Sequence, residues 1–437
     1  LNLAFFRGEH QGVAAAARHL FGKDPHGLDA AESLVLAALI RAPNAAAPDA
    51  QARALQLGRS LGWATTDEEV RARLARTRPG AGRLPAEGRL APHAARRIFR
   101  DHGAAAAVRC TLDAEVQRLT GERLAHHLIP LQTQRVSEGA VLVVDNATGE
   151  VRAYVSHTAE PERSRFVDGI TARRQAGSTL KPFLYALALD RRILTAASLL
   201  EDSPLDLAVT TGIYQPQNYD AGFQGAVTVR TALASSLNIP AVRALEMIGV
   251  EALVDLLRDL GMKGLSASGD FYGPSLALGT ADVSLWELVN AYRTLANEGL
   301  RGDLTLVATA GAAGRTERVF SAEAAFIVSD ILADREARSL TFGLESPLAT
   351  RFWTAVKTGT SKDMRDNWCI GYSRRYTVGV WVGNFSGAPM WAVSGTAGAA
   401  PVWLDLMNHL HRTEPSAPGS PPAGAVRWEP SAGGRQR

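Results

Sequence analysis

Three short runs of this 437-residue chain carry side chains that could do covalent chemistry. The first is Gly177-Ser178-Thr179-Leu180-Lys181-Pro182. A serine hydroxyl is a poor nucleophile until a base takes its proton. A lysine three residues further on lies on the same face of a helix. Proline is disfavoured inside a helix but suits its first turn, so the spacing predicts a helix that begins near Ser178. Leu180, Phe183, Leu184 and Leu187 form an apolar stripe that would bury it. Lysine serves as a base only when neutral, and its reference pKa is about 10.4. Burial or a second cation must therefore depress it. The pattern S-x-x-K arises by chance on the order of once in a chain this long. On this motif alone, a capping serine near a surface lysine is the better explanation.

The second run is Ser236-Leu237-Asn238, residue types that are also common in loops and caps. The third is Lys357-Thr358-Gly359-Thr360-Ser361, which follows the apolar Ala355-Val356. A strand with this sequence would aim a cation and hydroxyls at one place, and Gly359 would let a ligand approach the backbone closely. That suits a carboxylate, although a plain polar strand end has the same composition.

S-x-x-K, S-x-N and K-T-G in this order are shared by penicillin-binding proteins and class A β-lactamases. The surrounding residues extend the resemblance. Arg174 to Phe183 is similar to the nucleophile segment of high-molecular-weight penicillin-binding proteins, with Ala176 where many relatives carry proline. Asn218-Tyr219-Asp220 and Ser235 to Val242 resemble their second motif. Leu276 to Gly279 and Asn290 to Tyr292 resemble a helical segment of the same group. Lys357 to Gly371, Gly383 to Phe385 and Pro389 to Trp391 resemble the 1C group of the bifunctional, class A penicillin-binding proteins. Leu1-Asn2-Leu3, Gly12 to Ala15, Phe21 to Lys23 and Ala31-Glu32 are similar to the end of the family 51-like glycosyltransferase domain of that class. The glutamate and glycan-reading motifs of that domain lie upstream of this segment. Glu9 and Glu32 do not occupy that position and read as structural or surface carboxylates.

The resemblance implies a serine-type D,D-transpeptidase that cross-links peptidoglycan stem peptides and is inhibited by β-lactams. Ser178 would attack the D-Ala-D-Ala carbonyl and Lys181 would take its proton. The N–H groups of Ser178 and Thr360 would form the oxyanion hole. Ser236 would relay a proton to the leaving amine, and Asn238 would hold the substrate amide and Lys181. Lys357, Thr358, Gly359 and Thr360 would bind the terminal carboxylate. No metal or organic cofactor is implied. A D,D-carboxypeptidase, a β-lactamase and a non-catalytic β-lactam sensor use the same motifs and stay open as alternatives. The family also implies a bacterial inner-membrane protein with its catalytic domain in the periplasm and an anchor in the intact protein.

The fold class expected is mixed α/β: a β-lactamase/transpeptidase-like domain, its central antiparallel sheet flanked by helices, preceded by a helical glycosyltransferase remnant. Residues 1–60 have helical apolar spacing, as in Ala30 to Ile40. Residues 66–135 read as a linker region, rich in Arg, Pro and Gly from Arg71 to Arg100. Val141 to Val144, the turn Asn146 to Gly149 and Val151 to Val155 predict a β-hairpin. Thr179 to Leu260 reads as mostly helical. Asn367 to Tyr372 and Tyr376 to Trp381 predict paired strands. The transpeptidase domain is placed at 136–413, and the Pro-, Gly- and Ser-rich residues 414–437 read as a disordered tail.

Composition narrows the class further. Hydrophobic residues make up 46% and charged residues 21%, ordinary for a globular protein with room for two or three domains. A net charge of +3 is too small to argue for nucleic acid. The two cysteines, Cys110 and Cys369, form no framework and read as small buried hydrophobes. The ten histidines show no ligand spacing, and His126-His127 reads as a solvated helix face. No apolar run reaches the roughly 18 residues of a membrane span, and no signal peptide is visible.

Overall fold

The computed structural model describes all residues except 2–3, 8–9, 78–89, 103–106, 160–165, 210–211, 221, 309–314 and 427–437. The chain divides into two compact units, Leu1–Leu90 and Ala91–Arg437. Among the described residues the first holds four α-helices: α1 (Val13–Phe21), α2 (Ala30–Ile40), α3 (Ala47–Leu61) and α4 (Asp67–Arg76). Capping boxes start α2 at Asp29/Glu32 and α4 at Thr66/Glu69, satisfying N–H groups that a helix start leaves unpaired. Leu34, Val35, Leu39, Ala54, Val70 and Leu74 form their common core. Glu32 is fully buried with Lys23 Nζ at 2.8 Å, which makes it a structural carboxylate. Glu9 lies outside the described residues.

The second unit begins with α5 (Pro92–His102) and α6 (Ala114–Leu131). The stretch 66–135, expected as a linker, thus carries α4, α5 and α6. Polar helix faces gave it a surface composition, while Gln117, Thr120, Leu124 and Leu128 turn inward. A five-stranded sheet follows: β1 (Glu138–Asp145), β2 (Val151–Thr158), β3 (Ala355–Thr360), β4 (Asp366–Tyr372) and β5 (Tyr376–Gly383). Its spatial order is β3-β4-β5-β1-β2, every pair antiparallel. Both expected hairpins form, β1 with β2 and β4 with β5.

The sheet is covered on both faces, and its side chains alternate between two cores. Ala140, Leu142 and Val144 enter the larger core, and Val141 and Val143 the other. The larger core is filled by α7 (Lys181–Asp190), α8 (Val229–Ala234), α9 (Asn238–Ile248), α10 (Val250–Asp259), α11 (Leu285–Ala296) and α12 (Ala322–Ala333). Trp403 and Leu406 of α13 (Ala400–Leu410) join Leu124 and Leu128 of α6 in the smaller core.

Several local expectations change. Ser178 does not begin an α-helix: Gly177–Leu180 is a 3-10 turn, and α7 starts at Lys181 with Pro182 at its second position. Nor is α7 merely striped, because Lys181 to Leu189 are all buried. The stretch 199–228 falls within the region expected to be mostly helical. It instead forms two small antiparallel pairs, Leu199–Asp202 with Gly225–Thr228 and Leu207–Val209 with Gly212–Tyr214. Val209, Ile213 and Val227 favour extended backbone there. Cys110 is exposed and only Cys369 is buried. His127 meets Asp405 at 2.8 Å instead of standing free in solvent. Residues 414–426 are mostly exposed, yet Ser416 accepts from the Trp353 N–H at 3.1 Å.

One close approach positions the chemistry. A Cβ on Gly359 of β3 would meet Thr179 Cγ2 at 2.7 Å and the Ala176 carbonyl at 2.8 Å. A Cβ on Gly177 would meet the Thr360 carbonyl at 2.6 Å, and Gly177 has φ +55°. Two glycines thus let the 3-10 turn lie flat against β3. Gly359→Ala should cost about 1–3 kcal/mol in chemical denaturation, the range for overpacking a closed contact. Gly121→Ala, in open space within α6, should instead stabilise by up to about 1 kcal/mol. Equal effects of the two substitutions would contradict this contact.

Candidate active site

Lys181 is the first residue of α7 and has no solvent exposure. Its Nζ donates to the Ser236 carbonyl at 2.7 Å, the Leu237 carbonyl at 3.0 Å and Asn238 Oδ1 at 2.6 Å. Burial pushes its pKa well below the usual lysine value, nearby Lys357 pushes the same way, and Asp202 opposes both. The three acceptors favour the ammonium form, and the lost hydration disfavours it.

The Ser236 turn carries the second motif between α8 and α9. Ser236 has φ +60°, a conformation costly for a residue with a side chain. Its carbonyl faces Lys181, while its hydroxyl accepts from Lys357 Nζ at 2.7 Å. Asn238 uses both ends of its amide, since Oδ1 accepts from Lys181 Nζ and Nδ2 donates to the Gln217 carbonyl at 2.7 Å.

Lys357 stands on edge strand β3, paired in register with Ile370 of β4. Its Nζ also donates to the Thr358 carbonyl at 2.8 Å. Burial pushes its pKa down to about 7, with Cys369 acting against the shift. Thr358 and Gly359 are buried, and Thr360 is half-buried. Thr360 Oγ1 accepts from the Gly395 N–H at 3.0 Å, which leaves its own proton free to donate. Ser178 is half-buried on the 3-10 turn, and its hydroxyl makes no hydrogen bond among the described residues. The turn is held from several sides. Gly177 N–H donates to the Gly279 carbonyl at 2.9 Å, and Tyr292 OH donates to the Thr179 carbonyl at 2.8 Å. Trp368 Nε1 donates to the Gln175 carbonyl at 2.9 Å.

The structure therefore brings Lys181, Ser236, Asn238 and Lys357 into one hydrogen-bonded cluster, with β3 pressed on the turn that bears Ser178. It does not join Ser178 to Lys181 by a hydrogen bond. Sequence reasoning missed the layer behind the cluster, above all the buried Asp202. The run Glu201-Asp202-Ser203-Pro204 reads as an ordinary surface loop and gave no signal. Among the described residues no group of His, Cys, Asp and Glu could hold a metal ion.

Residues 139–400 match the family described as penicillin binding protein transpeptidase domain, and residues 1–62 match the transglycosylase family. The chain belongs to the penicillin-binding protein transpeptidase family. It is 34% identical to penicillin-binding protein 1C of Escherichia coli (strain K12) over 98% of this chain and 56% of that protein. It is 27% identical to penicillin-binding protein 2D of Bacillus subtilis (strain 168) over 98% of this chain and 65% of that protein. The chain thus spans between about half and two thirds of the length of these relatives. The crystal structure of penicillin-binding protein 1A from Haemophilus influenzae shares the fold, with TM-score 0.68 at 19% identity, covering 96% of this chain and 86% of that one.

The lysine environment has a consequence for stability. Folded Lys357 releases its proton near pH 7, whereas an unfolded lysine holds it to about 10.4. Between these values the unfolded chain binds more protons, so this group makes stability rise with pH. From pH 7 to 9 the unfolding free energy of the wild type should gain on that of Lys357→Met by about 1 kcal/mol per pH unit. Parallel pH dependences in urea titrations would contradict the shift.

Proposed function

We propose that the second unit is a D,D-transpeptidase that cross-links peptidoglycan stem peptides through an acyl-enzyme on Ser178. The observation that carries this is the buried Lys181, held by Ser236, Leu237 and Asn238 beside a second buried lysine, one turn from Ser178. A neutral Lys181 amine has two N–H donors and one lone pair. It gives up one of its three acceptors and turns that lone pair to the Ser178 hydroxyl. Ser178 Oγ then attacks the carbonyl between two D-alanines. The N–H groups of Ser178 and Thr360 meet the oxyanion, and the close approach of Gly177 to the Thr360 backbone supports this pairing. The Ser236 hydroxyl accepts from Lys357 and so has its own proton available for the departing D-alanine amine. Lys357, Thr358 and the free Thr360 hydroxyl proton bind the terminal carboxylate, with Gly359 seating β3 against the turn that bears Ser178. An amine of a neighbouring stem peptide completes the cross-link. The amine acceptor, the β-lactams that mimic the donor, and a periplasmic setting with an anchor in the intact protein belong to this same reading. The helices of residues 1–62 belong, in the intact protein, to the glycan-polymerising domain.

Fluorescent penicillin should label the wild type and leave Ser178→Ala unlabelled at equal protein concentration. The wild type should also exchange a D-amino acid into a D-Ala-D-Ala donor. Equal labelling of both proteins removes Ser178 from its role. Multiple turnovers of a chromogenic β-lactam would make the protein a hydrolase, and labelling without exchange or hydrolysis would make it a sensor.

A further inference from the structure

Asp202 ends a short strand, Leu199–Asp202, and its carboxylate has no solvent exposure. No cation lies within ion-pair distance of it among the described residues. Its partners are amides. Asn218 Nδ2 donates to both its oxygens, at 2.8 and 3.0 Å, and the Gln224 N–H donates to Oδ2 at 2.9 Å. Burying a carboxylate on amide donors alone is expensive. The arrangement persists where something else depends on it.

What depends on it is the start of α9. That helix has Leu237 at its cap position, and leucine has no side-chain acceptor. Asn218 supplies the missing one from 20 residues away, for its Oδ1 accepts from the Asn238 N–H at 2.8 Å. The Ile239 N–H reaches the same oxygen at 3.4 Å. An asparagine amide can sit either way round, with oxygen and nitrogen exchanged. A carboxylate only accepts, so Asp202 forces the Asn218 nitrogen inward and its oxygen towards the helix. The Gly222 carbonyl, which accepts from Asn218 Nδ2 at 2.8 Å, enforces the same choice. The helix end fixed in this way bears Asn238, whose Oδ1 holds Lys181 at 2.6 Å.

We infer that Asp202 is a positioning residue: it fixes the orientation of the Asn218 amide, and Asn218 caps the helix that delivers Asn238 to Lys181. This rests on the proposed acylation of Ser178. The charged groups that act on Lys181 are Lys357 and Asp202, and they push in opposite directions. Tyr185, buried beside Asp202 with its hydroxyl unpartnered among the described residues, carries no charge to compensate the carboxylate.

The test measures the second-order rate of acylation by fluorescent penicillin across pH, for wild type, D202N, N218D and the double variant D202N/N218D. Melting temperatures confirm that each protein is folded during the assay. D202N should lose acylation rate on the order of tenfold to a hundredfold, the scale of misplacing a reacting group. Its acid limb should move to lower pH, because the anion that favours the Lys181 ammonium is gone. N218D should be slower still, with two carboxylates facing each other. The double variant should recover part of the N218D loss. Its amide at 202 can donate to the carboxylate at 218, which again offers an oxygen to α9. A merely structural role would lower the melting temperature and leave the acid limb where it is. D202N at wild-type rate with an unmoved limb, or a double variant slower than N218D, overturns the inference. Should D202N not fold, the double variant carries the test. If neither folds, Asp202 serves the fold alone and the inference is overturned. A wild type that is not acylated at all would remove the transpeptidase reading instead.

Discussion

A lysine with no exposed surface is the constraint around which this domain is arranged. Lys181 gives up its hydration shell and receives three acceptors in return, two of them carbonyls of a strained turn. A buried cation with hydrogen bonds but no carboxylate against it sits close to losing its proton. That balance makes a lysine useful as a base. A second buried lysine, Lys357, tilts it further towards neutrality, and Asp202 restrains it. The site resembles other pairs of titratable groups whose surroundings set the roles. Here both groups are lysines, and their hydrogen-bond partners distinguish them.

The rest of the fold supplies rigidity for that balance. The elements involved are far apart in sequence, so their meeting depends on tertiary packing. The Ser178 turn leads into a helix buried on every side, the Ser236 turn leads into a neighbouring helix, and Lys357 rides on the edge of the sheet. Strand β3 reaches the Ser178 turn because Gly177 and Gly359 leave no side chain between the two backbones. Among the described residues, the edge position leaves one side of β3 without a neighbouring strand.

Much of this was legible in the sequence because it depends on local signals. The two hairpins of the sheet announce themselves by short runs rich in β-branched and aromatic residues and by the turn Asn146 to Gly149, and both form, the first with a register shift between Val143 and Val144. The ordered motifs led to Ser178, Lys181, Ser236, Asn238 and Lys357, and four of these five share one hydrogen-bonded cluster. What was not legible depends on contacts between distant segments. Nothing in the run of residues around Asp202 reveals that a loop asparagine 16 residues on will clamp it. The 3-10 geometry at Ser178 likewise follows from β3 and the Gly279 carbonyl pressing on the turn, so local spacing alone predicted an α-helix. Residues 66–135 read as a linker because their helices show polar faces, and a linker and a half-exposed helix share that composition.

The central claim is that this cluster activates Ser178 and no other hydroxyl. Mass spectrometry of the penicillin-treated protein, followed by peptide mapping, tests it most directly. The account predicts a single stable adduct per chain, on the peptide containing Ser178. An adduct on Ser236, Ser361 or another residue, or no adduct under conditions where the protein is folded, would contradict it.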